Sequence, residues 1–119
     1  MTRRMDRVGG LLHEEISKLI ATELRDPRLR AMVTVTGVRM SVDLEHATVT
    51  ITALGDEQER KDALKGLESA KGFLRRELAQ RVELRHIPDL RFVLDTALVE
   101  GNRVLAMMDR MRQERQTNG

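Results

Sequence analysis

Apolar residues recur every three or four positions over residues 6–24, at Val8, Leu12, Ile16, Leu19, Ile20 and Leu24, with charged side chains between them. That spacing gathers them on one face of a helix. Gly9 and Gly10 weaken its first turn. The residue before Pro27 is pushed away from helical dihedrals, so the helix is predicted to end near Arg25-Asp26-Pro27-Arg28. Residues 24–32 then read as a turn carrying Arg25, Arg28 and Arg30.

Over residues 32–40 the period changes to two, which predicts a strand. Val33 and Val35 share one face, whereas Val38 and Met40 fall one residue out of phase, so a bulge near Gly37 is expected to restore the register. Residues 47–53 alternate without a break: Ala47, Val49, Ile51 and Ala53 inward, threonines outward. Two strands this close in sequence are expected to pair as an antiparallel hairpin. Asp56 followed by Glu59 has the spacing of a capping box and opens a second helical pattern. Ala63, Leu64 and Leu67 form its apolar stripe up to Ala70, and after Gly72 the stripe resumes with Leu74, Leu78 and Val82. Glycine is the cheapest place to break a helix, so two helices with a bend at Gly72 are predicted rather than one rod. Leu90, Phe92 and Leu94 alternate as a third strand, which a helical crossover should set parallel to its predecessor. Asp95 or Thr96 would cap a last helix over residues 98–112, with Leu98, Val104 or Leu105, Met108 and Met111 inward. The fold class is therefore α+β in a single domain over residues 1–112, followed by a flexible tail at 113–119.

Composition narrows the chemistry. The 119 residues include no cysteine, which removes disulfides, thiol catalysis and cysteine-ligated zinc and fits a reducing compartment. No apolar run approaches the ~18 residues of a membrane span, and the charged N-terminus lacks the apolar stretch of a signal peptide. The formal net charge of +2 says little, but its distribution is uneven. Residues 41–62 hold six acids against two bases, and residues 69–91 hold six bases against three acids. Arginine outnumbers lysine 17 to 4. Arginine forks match phosphate in a bidentate manner, although a GC-rich genome would give the same ratio. Phe73 and Phe92 stand without any Trp or Tyr, so the chain is not expected to build the platform of exposed rings on which sheet-surface RNA binders and single-strand channels stack bases. Any nucleic-acid recognition must rely on backbone charge and shape.

Catalytic patterns are missing. No glycine cluster fits a nucleotide-binding loop, the histidines at 13, 46 and 86 lie on separate elements, and His13-Glu14-Glu15 lacks the second histidine of a zinc helix. The serines at 17, 41 and 69 have no elbow glycines around them. No enzymatic activity, metal, cofactor or small-molecule substrate is expected. Gly72 is the odd feature: a poor helix former between Lys71 and the Arg75-Arg76 pair. It could be a packing glycine that lets the second helix press on the sheet. It could instead open backbone N–H groups to phosphate, flanked by cations.

The element order helix-strand-strand-helix-kink-helix-strand resembles the type II KH order, with Ala70-Lys71-Gly72 in place of the G-x-x-G loop that clamps single-stranded RNA in KH modules. That Ala-x-Gly kink resembles the ribosome-binding factor A family. So do RVGGLLHEEISKLIATELRDPRL at 7–29, VTVTGVRMSVDLEHATVTI at 33–51, SAKGFLRREL at 69–78 and LRHIPDLRFVLD at 84–95. The likeness covers about residues 3–108. It implies a KH-like domain with a further C-terminal helix in a cytoplasmic, monomeric, non-enzymatic assembly factor. Such a factor binds the free 30S subunit through 16S rRNA and nearby ribosomal proteins. It assists late maturation and 5′-end processing of 16S rRNA, and it is associated with cold adaptation. Members of the family often carry a longer charged tail. On this reading Ser69, Ala70 and Gly72 form the interhelical kink. Lys71, Gly72, Arg75 and Arg76 grip rRNA phosphates there, and Arg81, Arg85, Arg3, Arg4 and Arg7 extend the footprint. Three other readings are a helix-turn-helix DNA binder, a small enzyme, and a protein adaptor using the acidic stretch 43–62. The clean strand at 47–53 and the missing catalytic residues argue against the first two.

Overall fold

The computed structural model describes residues 3–95, 107–108 and 110–112. Helix α1 (Arg3–Thr22) is followed by a short helix α2 (Pro27–Met32), strands β1 (Val33–Met40) and β2 (His46–Ala53), helices α3 (Glu57–Ser69) and α4 (Lys71–Arg81), and strand β3 (Asp89–Leu94). Apart from α2, this is the KH-like order.

The three strands form one sheet in the order β1-β2-β3. β1 and β2 pair antiparallel, and β3 runs parallel to β2, as a helical crossover requires. The register shifts between Val35 and Gly37, where Thr36 is the extra residue of a bulge. The bulge resolves the phase conflict in the sequence: Val33 and Val35 before it, and Met40 after it, are all buried. Ala47, Val49, Ile51, Leu90 and Phe92 complete the buried face of the sheet. Against it pack Leu12, Ile16, Leu19 and Ile20 of α1, Ala63 and Leu67 of α3, and Leu74 and Leu78 of α4. The opposite face carries no helix among the described residues and presents Thr34, Thr36, Arg39 and Arg91 to solvent.

α1 starts earlier than its apolar stripe suggests, so Gly9 and Gly10 lie in its second turn. Gly9 is buried where α1 crosses β1, and a Cβ there would stand 3.1 Å from the Val38 carbonyl oxygen. The glycine sets how closely the helix approaches the sheet.

Residues 24–32 are not simply a turn. Asp26 is an N-cap whose side chain accepts the Arg28 N–H at 2.9 Å, and Pro27 occupies the first position of α2. The capping box at the start of α3 is formed as expected: Asp56 accepts the Glu59 N–H at 2.8 Å, and Glu59 accepts the Asp56 N–H at 3.2 Å. Most of the last helix expected over 98–112, its cap at Thr96, and the tail at 113–119 lie outside the described residues. The described positions 107–108 and 110–112 are helical, and Met108 and Met111 are more than half exposed rather than inward. Among the described residues no helix is long and apolar enough to cross a membrane.

The β1–β2 hairpin turn is held by Asp43, which accepts hydrogen bonds from the Ser41 hydroxyl at 2.6 Å and the Glu45 N–H at 3.0 Å. The Ser41 bond first, then the Glu45 amide, hold its carboxyl below the ordinary value of 3.8. A depressed folded-state pKa means that this contribution is present above that value and disappears as pH falls through the folded pKa. Asp43→Asn should therefore flatten the acid limb of the stability curve below about pH 4, read by circular dichroism against pH. An acid limb identical to that of the wild type would show that the turn contributes nothing to it.

Candidate nucleic-acid interface

The chain divides into α3 and α4, but the break is at Ala70 and not at Gly72. Ala70 has φ −86° and ψ −2° and serves as the last cap of α3 and the first of α4. Its N–H donates to the Gly66 and Leu67 carbonyls at 3.0 and 3.1 Å, and its carbonyl accepts the Leu74 N–H at 2.9 Å. The helix tightens by one hydrogen-bond step and restarts, with the backbone of Ala70 satisfied throughout. No side chain caps α4.

Gly72 is the second residue of α4, and its φ is not positive. A Cβ added there would meet only the Arg76 Nη1 atom, at an ordinary 3.5 Å. Gly72 therefore admits no close neighbour, which removes the packing reading, and the bend expected at this residue lies at Ala70 instead. Gly72 leaves the exposed backbone of the first turn bare beside the Arg76 guanidinium. Gly72→Ala should raise stability by about 0.5–1 kcal/mol, because alanine is the better helix former and no strain opposes it. A urea midpoint that falls instead would mean that this position needs glycine for the fold.

The cations around the break differ sharply in their freedom. Lys71 Nζ pairs with Glu68 at 2.9 Å. Arg75 is turned inward: its Nη2 donates to the Ile87 carbonyl at 3.0 Å, and its Nε is buried with no partner among the described residues. It ties α4 to the loop that enters β3 and does not face outward as a phosphate ligand. Arg81 stands between Glu23 at 3.7 Å and Glu77 at 3.8 Å. Arg76 is exposed and has no ion-pair or hydrogen-bond partner among the described residues. Surface pairs of this kind, here partly exposed, are worth only about 0–1 kcal/mol, so they hold Lys71 and Arg81 weakly.

Two grooves organise the remaining residues. The first, about 470 Å³, lies at the break between α2, α3 and α4 and includes Ser69, Ala70, Phe73 and Arg76 together with Arg25 from the connection between α1 and α2. The second, about 200 Å³, brings Arg4 of α1 beside Arg85 and His86 of the loop before β3. Asp43 and Glu45 line it too, so its charge is mixed. Arg3 and Arg7 are exposed on the same end of α1. At 1.5 Å per residue, the two ends of α1 are about 28 Å apart, so the cations expected in one footprint fall into two clusters. Arg25 and Phe73 were not among the site residues expected from sequence. The signal for Arg25 was Asp26-Pro27, an N-cap followed by an N1 proline, which starts a helix and turns Arg25 toward the groove.

A family model of ribosome-binding factor A matches residues 4–108. A ribosome-binding factor A from Synechococcus sp. (strain CC9605) is 41% identical over 118 residues, covering 98% of this chain and 84% of the relative. The crystal structure of ribosome-binding factor A from Thermus thermophilus superposes with a TM-score of 0.67 at 32% identity, covering 76% of this chain and 94% of that one. A Thermus thermophilus ribosome-binding factor A homology model, fitted into a cryo-EM map of a 30S–RbfA complex, matches with a TM-score of 0.61 at 32% identity, covering 74% of this chain and 91% of that one. With its KH-like order, its Ala-x-Gly break and a match that spans nearly every described residue, this chain belongs to the ribosome-binding factor A family.

Proposed function

We propose that this protein binds the free small ribosomal subunit as a cytoplasmic monomer and assists its late maturation, including processing of the 5′ end of 16S rRNA. It does so without catalysis, cofactor or small-molecule substrate. The observation that carries this reading is family membership, together with a relative of the same fold in a 30S complex. The site chemistry supports it. The break between α3 and α4 exposes Arg76 with Arg25 beside it, and Lys71 and Arg81 are held only by weak surface pairs. Arg3, Arg4, Arg7 and Arg85 extend the charged surface at the other end of α1. Arg75 has a structural role in this proposal, through its bond to Ile87. Phosphate contacts fix position without reading sequence, so specificity comes from the shape of a folded rRNA surface.

In a sucrose gradient of cell extract, the protein should migrate with free 30S particles and be missing from 70S fractions. Loss of the gene should leave 16S rRNA with an extended 5′ end and slow growth most in the cold. Migration at the top of the gradient at low salt would overturn the binding reading. Fully processed 16S rRNA in its absence would overturn the maturation reading alone.

A further inference from the structure

The groove at the α3–α4 break has a divided chemistry. Its floor is apolar, formed by Leu24, Leu29, Ala70 and the half-buried ring of Phe73. Two acids and two cations line it, and they are not equivalent. Glu23 stands 3.7 Å from Arg81, and Asp26 caps α2 while pairing with Arg28 at 3.5 Å. Each acid thus already faces a cation from outside the groove's lining, Arg81 or Arg28. Arg25 and Arg76 have no such partner among the described residues, and the free charge of the groove is positive. An apolar slot with one aromatic wall and two uncompensated guanidinium groups suits a ligand that is flat and apolar at its centre and anionic at its edge. A nucleotide is divided in that way. At about 470 Å³ the groove is of the size that accepts a small ligand, and far too small for a duplex. Phe92, the other ring, is buried in the core, so no platform for a run of bases exists, but Phe73 in the groove can stack one base, which departs from the expectation of charge and shape alone.

We infer that this groove receives a single unstacked base of an RNA chain, with the base against Phe73 and its flanking phosphates on Arg25 and Arg76. The inference rests on the rRNA-binding reading and deepens it: the protein recognises a bulged or extruded nucleotide on an otherwise folded RNA surface. A free nucleotide offers the same chemistry, and the test separates the two sources.

The probes are an RNA hairpin with one bulged 2-aminopurine, the same stem with that base paired, and adenosine monophosphate. The full chain should bind the bulged hairpin about tenfold more tightly than the paired one, the effect of one stacked base. Binding should change 2-aminopurine fluorescence in the bulged hairpin only. Phe73→Leu should erase that preference while Phe73→Tyr preserves it, and R25E/R76E should weaken binding of both hairpins. The fluorescence of the wild-type complex reads stacking without any variant, so a Phe73→Leu protein that failed to fold would leave the test intact. Equal affinity for the two hairpins would overturn the inference, as would a preference that survives in folded Phe73→Leu. Adenosine monophosphate bound as tightly as the bulge would mean a small-molecule site. Phe73→Leu that loses co-sedimentation with small subunits but keeps bulge binding would mean that a protein side chain occupies the groove. If the wild type sediments with free small subunits yet ignores the bulge, only this inference fails. If it does not sediment with them at all, the binding reading fails as well.

Discussion

Reversing two charges, R25E/R76E, should weaken binding to free small subunits by roughly 10- to 100-fold at low salt, with no change in thermal midpoint. Both side chains are exposed and make no hydrogen bond or ion pair with the described residues, so their removal leaves no buried group unsatisfied. Each phosphate contact releases condensed counterions and contributes about 0.7–0.9 to the slope of log affinity against log salt. Two lost contacts should therefore flatten that slope by about 1.4–1.8. The slope is the sharper readout, because it counts contacts, whereas a fall in affinity alone could reflect general repulsion. Arg39→Glu supplies the comparison. It changes the net charge by the same amount per site but lies on the uncovered face of the sheet, away from the helices. An Arg39→Glu protein that loses as much affinity per charge as the double variant, with the same change in slope, would mean that overall charge and not the α3–α4 break governs binding.

Arg75→Glu should act in the opposite sense, lowering stability by about 2–4 kcal/mol and thermal midpoint by roughly 10 °C or more. The guanidinium is partly buried, and its Nη2 satisfies the Ile87 carbonyl across twelve residues of sequence. A carboxylate there would place an acceptor beside an acceptor and leave both short of a donor. Arg75→Met separates the two contributions. It keeps most of the aliphatic packing and leaves the Ile87 carbonyl unpaired, and it should cost about 1–3 kcal/mol. Differential scanning calorimetry of the three proteins checks the order, wild type above Met above Glu. If Arg75→Glu folded like the wild type and instead released the protein from small subunits, the outward-facing role expected from sequence would stand. Although Arg75 and Arg76 are adjacent, the two reversals should thus be opposite phenotypes: one a stability defect, the other a binding defect in an intact fold. The pair cannot be tested as a unit, since the Arg75 change would mask the other.

Local signals carried most of the architecture. The 3.6-residue stripe of α1, the strict alternation of β2 and the Asp56–Glu59 capping box each depend on neighbours within a few residues, and each marks its element, although α1 runs from Arg3 to Thr22 rather than over 6–24. The phase slip between Val35 and Val38 was enough to locate the bulge, because every side chain changes face when a strand gains one residue. The parallel setting of β3 followed from chain geometry, since a helical crossover returns the strand in the same direction. α2 was missed although its Asp26-Pro27 start was in view, because six residues are too few to show a helical period. Glycine propensity alone put the break at Gly72, two residues late, whereas the kink implied by the family resemblance included Ala70, where the helix is interrupted between α3 packed on β2 and β3 and α4 packed on α1. What only the tertiary structure decided is the fate of each cation. An arginine is long enough to reach inward or outward from the same helix, and sequence neighbours do not say which. Packing delivers the Ile87 carbonyl to Arg75, Glu23 to Arg81 and the α1–α2 connection to the α3–α4 break. From one basic stretch it makes a structural tie, a loosely paired charge and an unpaired guanidinium. Periodicity is a property of the chain, but a charge becomes available to a ligand only through what the fold leaves unpaired around it.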